Sequence, residues 1–291
     1  MRRSVGNGLK WVRGKRNIMP ISDISDLSLH SLTRLDGKRA VITGGARGIG
    51  LAIAERFAEA GASVLIADLD GRAAQMSAAD LARRRGGVHQ GAALDVRNSE
   101  DFESIAKLAE SARGIDIWVN NAGIYPPRSL DEMSEEHWDL VNDINLRGCF
   151  LGCRLAARLM SPPLGTGGVI LSVASVSGLR GRANLAHYVA SKHGVVGLTR
   201  ALGIELAPKN IRVLALAPTL VVTPGVEAAQ ANSGGDSGDA YRAFLDRLGA
   251  TIPLGRAGVP DDVARVALFA VSGLAHFMTG CTIPVDGGAI A

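Results

Sequence analysis

The segment Ala40-Val-Ile-Thr-Gly-Gly-Ala-Arg-Gly-Ile-Gly50 decides the fold of this chain. Its first four residues form a short, β-branched apolar run, which is typical of a buried strand. Its glycines then interrupt the strand, and apolar residues recur at helical spacing from Leu51 to Ala58. A second apolar run, Val64–Ala67, ends at Asp68. The sequence therefore predicts a strand, a glycine turn, a helix and a second strand that closes on an acid.

Each residue type in this unit suits the binding of a dinucleotide. Glycines let the backbone turn tightly and approach a pyrophosphate, which the N–H groups and dipole of the next helix attract. The Asp68 carboxylate can accept hydrogen bonds from both ribose hydroxyls of NAD and would repel a 2′-phosphate. Arg47 could contact that phosphate, so NADP stays open. The expected cofactor contacts here are Gly44, Arg47, Gly48, Ile49, Gly50, Asp68 and Leu69.

Composition and charge point to one large globular domain with a basic head. The chain has 291 residues, of which 47% are hydrophobic. Its formal charge is +4, but the first 18 residues carry six positive charges and no acid, so the rest carries −2. The body therefore lacks the basic bias of a nucleic-acid-binding protein. Three interpretations of the head stay open: a tether to nucleic acid or a membrane, a disordered tail, or an over-called start with true initiation at Met19.

The cysteines and the most apolar stretch bear on compartment. Three cysteines, Cys149, Cys153 and Cys281, are too few for a disulfide framework and fit a reducing cytoplasm. The spacing of Cys149 and Cys153 is no usual zinc pattern, and we expect no metal site. The uncharged stretch Val266–Val285 contains serine, glycine, histidine, threonine and proline. It is interpreted as a buried helix, a turn and a strand, with no membrane span.

Strand and helix patterns alternate along the chain. This predicts an α/β fold: a Rossmann-type, doubly wound parallel sheet of about seven strands with helices on both faces. Residues 1–33 are predicted to be a basic, disordered N-terminal extension, and 34–291 a single Rossmann-type catalytic domain. The predicted strands are 38–43, 63–67, 88–94, 115–119, 168–173, 211–216 and 281–285.

Tyr188 and Lys192 belong to a segment, Tyr188-Val-Ala-Ser-Lys192, that opens an apolar helix. Residues four apart share a helix face, so both side chains can point into one site. A free tyrosine has a pKa of about 10, and a nearby ammonium should lower that pKa towards a useful range. Ser175 lies 13 residues before Tyr188, after an apolar strand, and its hydroxyl can donate to a carbonyl oxygen. These residues are candidates for proton transfer to a carbonyl or from an alcohol.

The motifs together resemble the short-chain dehydrogenase/reductase family, over roughly Leu35 to the C-terminus. Their order and spacing are specific, although Tyr-x-x-x-Lys or a glycine turn alone would not be. The matching motifs are Thr43-Gly-Gly-Ala-Arg-Gly-Ile-Gly50, Asp95-Val96, Asn120-Asn-Ala-Gly123, Asn145, Ser175, Tyr188-x-x-x-Lys192, Pro218, Thr223-Pro224 and Pro284-Val-Asp-Gly-Gly288.

The resemblance implies a role for each catalytic residue. Tyr188 is the general acid/base, Lys192 binds the nicotinamide ribose and lowers the tyrosine pKa, Ser175 polarises the substrate oxygen, and Asn145 holds a water of a proton relay. It also implies a homotetramer, or a dimer in some members. The further cofactor contacts that it implies are Asp95, Val96, Asn121, Ala122, Gly123, Pro218, Val221 and Thr223, besides Tyr188 and Lys192.

Two positions depart from the family pattern. Thr219 stands where glycine usually follows Pro218, which places a side chain beside the nicotinamide end, and Leu214 replaces a frequent asparagine. The glycine-rich stretch Asn232–Asp239 and the amphipathic segment Ala240–Leu248 suggest a substrate lid. The residues Arg128, Arg180 and Arg182 are interpreted either as partners of an anionic substrate or as solvated surface.

The main hypothesis is an NAD-dependent oxidoreductase that interconverts a secondary alcohol and its ketone, with Tyr188 as general acid/base. Its partners would be a small-molecule alcohol or ketone and further copies of itself, with no nucleic acid and no membrane. The alternatives are an NADPH-dependent 3-oxoacyl or general ketoreductase, motivated by Arg47, and a non-catalytic dinucleotide-binding regulator.

Overall fold

A computed structural model describes residues 21–111, 114–223, 247 and 249–291. Strands and helices alternate through these residues as the sequence predicts. The strands are β1 (Arg39–Thr43), β2 (Ser63–Asp68), β3 (His89–Ala93), β4 (Ile117–Asn120), β5 (Gly168–Val173), β6 (Ile211–Pro218) and β7 (Thr282–Val285). The α-helices are α1 (Leu29–Thr33), α2 (Gly48–Glu59), α3 (Gly71–Arg85), α4 (Ser99–Ser111), α5 (Glu135–Asn142), α6 (Gly148–Leu159), α7 (Ala186–Leu206) and α8 (Pro260–Val271).

The seven strands form one parallel sheet in the order β3-β2-β1-β4-β5-β6-β7. The order reverses between β1 and β4, which pair directly, with Val41 opposite Trp118. The carboxyl ends of β1 and β4 therefore flank a crevice, the place where open parallel sheets bind ligands. The predicted doubly wound parallel sheet is confirmed.

Each face of the sheet packs against its own layer of helices, because successive strand residues point to opposite faces. Ala40 and Ile42 of β1 belong to a core with α2, α3 and α8, which includes Ile53 and Phe57. Val41 points the other way, into a core with α4, α6 and α7. Both layers hold the strand ends, and thus the loops that follow them, in fixed positions.

The apolar stretch Val266–Val285 divides as the sequence indicated. It contains the end of α8, a short 3-10 turn at Gly273–Ala275 and strand β7. Among the described residues, no helix combines the length and apolar character needed to cross a bilayer.

The sequence-based boundary at residue 33 differs from the structure. Within the predicted extension, Leu29–Thr33 forms α1, which Ser28 caps by accepting from the backbone N–H of Ser31. Leu32 packs closely against Gly273: a Cβ at position 273 would lie only 2.8 Å from a methyl carbon of Leu32. The folded body therefore begins before residue 34. The predicted lid at 232–248 lies, apart from Arg247, outside the described residues.

Candidate active site

The glycine turn joins β1 to α2 at the sheet crevice. Gly44 and Gly48 have φ of +60° and +58°, a region that favours glycine. Gly50 has little room for a different reason: a Cβ there would lie 2.5 Å from Asn121 Nδ2 and still closer to the carbonyl oxygen of Gly44. Ile49 packs against the core. The turn thus presents bare backbone at the N-terminus of α2, which fits a pyrophosphate.

Asp68 closes β2 beside this turn. Its Oδ2 accepts from the backbone N–H of Ala46 at 3.0 Å, and Oδ1 accepts from that of Asp70 at 3.2 Å. These bonds hold the carboxylate against the turn. Its neighbour Leu69 is 71% exposed, and Arg47, also exposed, precedes the first residue of α2. The acid and the competing cation predicted from sequence therefore both lie at this end of the site.

The loop after β4 supports the glycine turn from the other side. Asn121 Nδ2 donates to the carbonyl oxygens of Thr43 and Gly44 at 3.0 and 2.8 Å. Thr43 Oγ1 accepts from the backbone N–H groups of Asn121 and Ala122. A Cβ at Gly123 would lie 3.1 Å from Asn145 Oδ1 and 3.5 Å from Lys192 Nζ. Ala122 and Gly123 thus leave a cradle without large side chains, which fits a flat cofactor.

Asp95 and Val96, in the loop that follows β3, differ in their surroundings. The Asp95 carboxylate accepts from Arg97 Nη2 at 2.6 Å, and this hydrogen bond lowers its pKa. Val96 is buried and contacts the cavity described below. The predicted adenine contact by Asp95 would therefore share that carboxylate with Arg97.

Ser175 and Tyr188 meet at the carboxyl end of β5. Ser175 is 8% exposed, and its Oγ accepts from the backbone N–H of Ser177 at 3.0 Å. The Ser175 and Tyr188 side chains are hydrogen-bonded, which favours the phenolate. The buried His187 imidazole accepts at Nδ1 from the backbone N–H of Tyr188 and so supports the first turn of α7.

The expected lowering of the Tyr188 pKa is wrong for the protein in this state. Burial raises the pKa of Tyr188 above its ordinary value, and Tyr125 raises it further. The opposing effects come from Ser175 and from Arg182. Lys192 Nζ lies 5.6 Å from the centre of the Tyr188 ring, over its face, and donates to Val173 O at 2.8 Å. The hydrogen bond of Lys192 Nζ is therefore made to strand β5, at Val173 O.

Lys192 is itself strongly affected by its position. It is 4% exposed, and burial lowers its pKa to about 8. The ammonium is held next to β5 by the hydrogen bond that it donates to Val173 O. This bond uses one of the three N–H donors of the ammonium. Lys192 also lines the small cavity described below.

Asn145 lies in a π-helical turn, Asp143–Arg147, between α5 and α6. Its amide bonds twice to the backbone of Ile124, accepting from N–H at 2.9 Å and donating to the carbonyl at 2.8 Å. A cavity of about 10 Å³, enough for one water, lies between Asn145, Lys192 and Cys149. The geometry suits the water that the family resemblance assigns to Asn145.

The opposite end of the site contains Pro218, Val221 and Thr223. Pro218 ends β6, and Val221 pairs with Gly258. A Cβ at Gly48 would lie 3.4 Å from the Thr223 side chain, so Thr223 faces the glycine turn across the crevice. Thr219 does not have a positive φ, and its N–H donates to Val285 O at 3.3 Å. The usual glycine is therefore not required for this turn.

Sequence reasoning missed two supporting residues. Ser191 Oγ donates to the carbonyl of Tyr188 at 2.8 Å and accepts from Asn145 Nδ2 at 3.3 Å, which links the π turn to α7. Cys149, which is buried in the core, also contacts the cavity beside Lys192. A small polar residue next to Lys192 was the available signal for Ser191; Cys149 offered none.

Comparisons with known proteins agree with this geometry. The family model described as enoyl-(acyl carrier protein) reductase matches residues 44–289. The 3-oxoacyl-[acyl-carrier-protein] reductase of Chlamydia trachomatis is 35% identical over 87% of this chain and 98% of its own length. The D-threitol dehydrogenase of Mycolicibacterium smegmatis is 35% identical over 92% of this chain and 98% of its own. A Beutenbergia cavernae structure, assigned as an NAD(P)-dependent gluconate 5-dehydrogenase with NADP bound at low occupancy, is 36% identical and superposes with a TM-score of 0.80 over 89% of this chain and 99% of its own.

No group of three or more metal-ligating side chains occurs among the residues described by the structure. The cysteines there, Cys149, Cys153 and Cys281, are free thiols.

Proposed function

Because the chain belongs to the short-chain dehydrogenase/reductase family, we propose that it is an NAD-dependent enzyme that interconverts a secondary alcohol and its ketone. The family itself makes it an NAD(P)-dependent oxidoreductase that acts on CH–OH groups. The finer proposal concerns the cofactor, the substrate and the residues that react. Its main support is the meeting of Ser175, Tyr188, Lys192 and Asn145 beside the glycine turn.

Tyr188 moves the proton in the proposed reaction. When bound, the nicotinamide cofactor supplies or accepts the hydride. In reduction, the Tyr188 hydroxyl donates its proton to the substrate oxygen; in oxidation, the phenolate accepts the proton of the alcohol. The Ser175 hydroxyl donates to the same oxygen and holds it next to Tyr188.

Lys192 and Asn145 act on Tyr188 in this proposal. The Lys192 ammonium, over the ring face, offers positive charge to a phenolate and donors to the ribose. Asn145 holds a water in the small cavity, from which Lys192 and then Tyr188 regain a proton. Ser191 and Ile124 fix the Asn145 amide, so the relay needs no rearrangement.

The preference for NAD rests on Asp68. Its carboxylate is held by Ala46 and Asp70 where an adenosine ribose would lie, and it would repel a 2′-phosphate. The first experiment is a titration of the protein with NADH and with NADPH by cofactor fluorescence. We expect the wild-type protein to favour NADH and Asp68→Ala to lose most of that preference. An unchanged ratio in the variant would remove the Asp68 argument.

A second candidate is an NADPH-dependent ketoreductase, which the exposed Arg47 favours. Here wild-type protein would prefer NADPH, and Arg47→Gln would lower NADPH affinity with little effect on NADH. The same two variants therefore separate the candidates. A non-catalytic regulator is tested by Tyr188→Phe: an enzyme should lose most hydride transfer but keep cofactor binding.

Homotetramer assembly and a cytoplasmic location belong to the same proposal. Exposed apolar side chains support assembly: Phe150 is 45%, Ile204 75% and Phe277 92% exposed. Light scattering after size-exclusion chromatography should give four times the chain mass, and a monomer would contradict the assembly alone. The three free thiols support a reducing compartment.

A further inference from the structure

Two loops form facing walls beside Tyr188. The first wall follows β4: the Tyr125 ring lies 5.9 Å from the Tyr188 ring. The second precedes α7 and contains Arg182 and Asn184. The backbone N–H of Arg128 donates to the carbonyl of Asn184 at 2.8 Å, which ties the walls together. Arg128 and Arg182 therefore come from different loops to the same mouth of the site.

Arg182 acts electrostatically on the reacting hydroxyl. It is one of two groups that favour the Tyr188 phenolate, the other being the hydrogen bond from Ser175. An exposed guanidinium affects another group only at short range, because water and salt screen it. Arg182 lies in the loop that leads directly into α7, six residues before Tyr188, and this placement agrees with its effect on the Tyr188 hydroxyl.

These two arginines contrast with the surface arginines whose side chains are already paired. Arg97 and Arg256, for example, form ion pairs with Asp95 and Asp262, each at 2.6 Å. Arg180, two residues before Arg182, donates from Nη1 to Ala289 O at 2.8 Å. For Arg128 and Arg182 the part of the chain described by the structure provides neither a side-chain hydrogen bond nor an ion pair. Their donors are available to a ligand.

We propose that Arg182, assisted by Arg128, binds an anionic group of the substrate, a carboxylate or a phosphate, at the mouth of the Tyr188 site. This rests on the proposed function, since it assigns the substrate class of that same site. The planar guanidinium offers paired N–H donors that match either oxyanion. An uncharged substrate would leave two like charges at the mouth without a counter-charge, which favours an anion there.

The test compares matched substrates that differ only in charge. Lactate, 3-hydroxybutyrate and 4-hydroxypentanoate are each oxidised against their methyl esters, which moves the carboxylate stepwise away from the reacting carbon. Hydroxyacetone phosphate is reduced against hydroxyacetone, which separates phosphate from carboxylate. We expect wild-type kcat/KM to favour the anion in at least one pair by about 10- to 100-fold, the range of a charge-assisted hydrogen bond.

The variants assign this preference to residues. Arg182→Gln should lower the anion-to-neutral ratio to near one, and Arg128→Gln should lower it less. Arg200→Gln, which removes the same charge from an exposed position further along α7, should leave the ratio and the rates unchanged. A preference that survives Arg182→Gln, or that Arg200→Gln removes equally, would overturn the proposal.

The outcomes separate this proposal from the function on which it rests. If neutral members of the pairs turn over at least as well as anions in wild-type protein, the anion site is wrong and the oxidoreductase stands. If no pair turns over, calorimetric binding of butyrate against butyramide decides. Binding of butyrate that Arg182→Gln abolishes supports the anion site without the proposed reaction, and equal or absent binding of both refutes it.

Discussion

At the scale of residues, the reactivity of Tyr188 depends on opposing neighbours. Burial and Tyr125 disfavour its phenolate, while Ser175 and Arg182 favour it, and burial is the largest effect. Tyr188 therefore keeps its proton at neutral pH, which is the form that the proposed carbonyl reduction uses. Alcohol oxidation requires the phenolate, so its rate should rise with pH through the alkaline range, while reduction should not.

The tyrosine pKa can be measured directly. We expect the ultraviolet difference titration between wild-type protein and Tyr188→Phe to show a phenol that ionises above the ordinary tyrosine value of about 10. In Ser175→Ala it should ionise at still higher pH, because the hydrogen bond from Ser175 lowers the pKa. Titration of Tyr188 below the ordinary value would restore the expectation drawn from sequence.

The sequence predicted which side chains converge at this site, but it did not predict how their neighbours shift the pKa of Tyr188. Tyr188, Lys192 and Ser175 could be found because helical spacing and strand ends determine which side chains converge. The direction of the tyrosine pKa could not be predicted, because it depends on burial and on Ser175, Tyr125 and Arg182. The sequence also gave no sign of the hydrogen bond that Lys192 Nζ donates to Val173 O. Such a contact joins a helix to a strand through tertiary packing, which no local pattern encodes.

At the scale of elements, the glycine turn requires close approach as well as unusual backbone angles. Gly50 has an ordinary helical position in α2, yet a Cβ there meets Asn121 Nδ2 at 2.5 Å. The sequence predicted the turn from the spacing of its glycines, and the supporting amide of Asn121 explains why Gly50 is needed. The sequence could not show that Asn121 lies beside Gly50, because this depends on the pairing of β4 with β1 in the sheet.

Two glycine-to-alanine substitutions distinguish the effect of close packing at Gly50 from the general effect of alanine on helix stability. Gly50→Ala should lower NADH affinity at least tenfold, because the turn must open by a few tenths of an ångström or more. Gly197→Ala in α7, where a Cβ meets nothing within 4 Å, should raise the free energy of unfolding by about 0.5–1 kcal/mol. Cofactor titration and urea unfolding of both proteins give the answer; equal NADH affinity in Gly50→Ala and wild type would contradict the first expectation.

Arg212 joins β6 to the end of α8, and sequence reasoning gave no sign of it. It is 8% exposed, burial lowers its pKa to about 10, and no acid pairs with it among the described residues. Its guanidinium instead donates to carbonyl oxygens around the C-terminal end of α8, where the helix dipole favours a cation. The acceptors are Ala270, Val271, Ser272, Ala275 and Met278.

The contribution of Arg212 is measurable as stability. Arg212→Met should lower the free energy of unfolding by about 2–4 kcal/mol, because buried carbonyls lose their donors. Arg212→Lys keeps the charge but offers fewer donors, so it should recover part of the loss. Denaturant unfolding of the three proteins tests this, and wild-type stability of Arg212→Met would show that water replaces the guanidinium.

At the scale of the whole molecule, the site costs stability through Lys192. The seven-stranded sheet and its two cores were predictable because alternating patterns extend over most of the chain. The start of the folded body was not, because α1 is a single short helix whose Leu32 packs against Gly273, far away in sequence. Within that body, a buried ammonium on α7 opposes folding, since the unfolded chain hydrates it fully.

The cost of Lys192 should appear as a pH dependence of stability. Its pKa is about 8 in the folded protein against 10.5 ordinarily, so the unfolded chain binds more protons between these values. The penalty is therefore full below pH 8 and disappears as the pH rises towards 10.5. Relative to Lys192→Met, the free energy of unfolding of wild-type protein should rise by about 2 kcal/mol between pH 7 and pH 9.5. Because the Lys192 charge also acts on Tyr188, the same pair is compared in the Tyr188→Phe background, and taking the difference removes most of the titration of Cys153, which is common to both proteins. A difference that stays constant with pH would mean that Lys192 keeps its ordinary pKa and that its ammonium is hydrated through the small cavity.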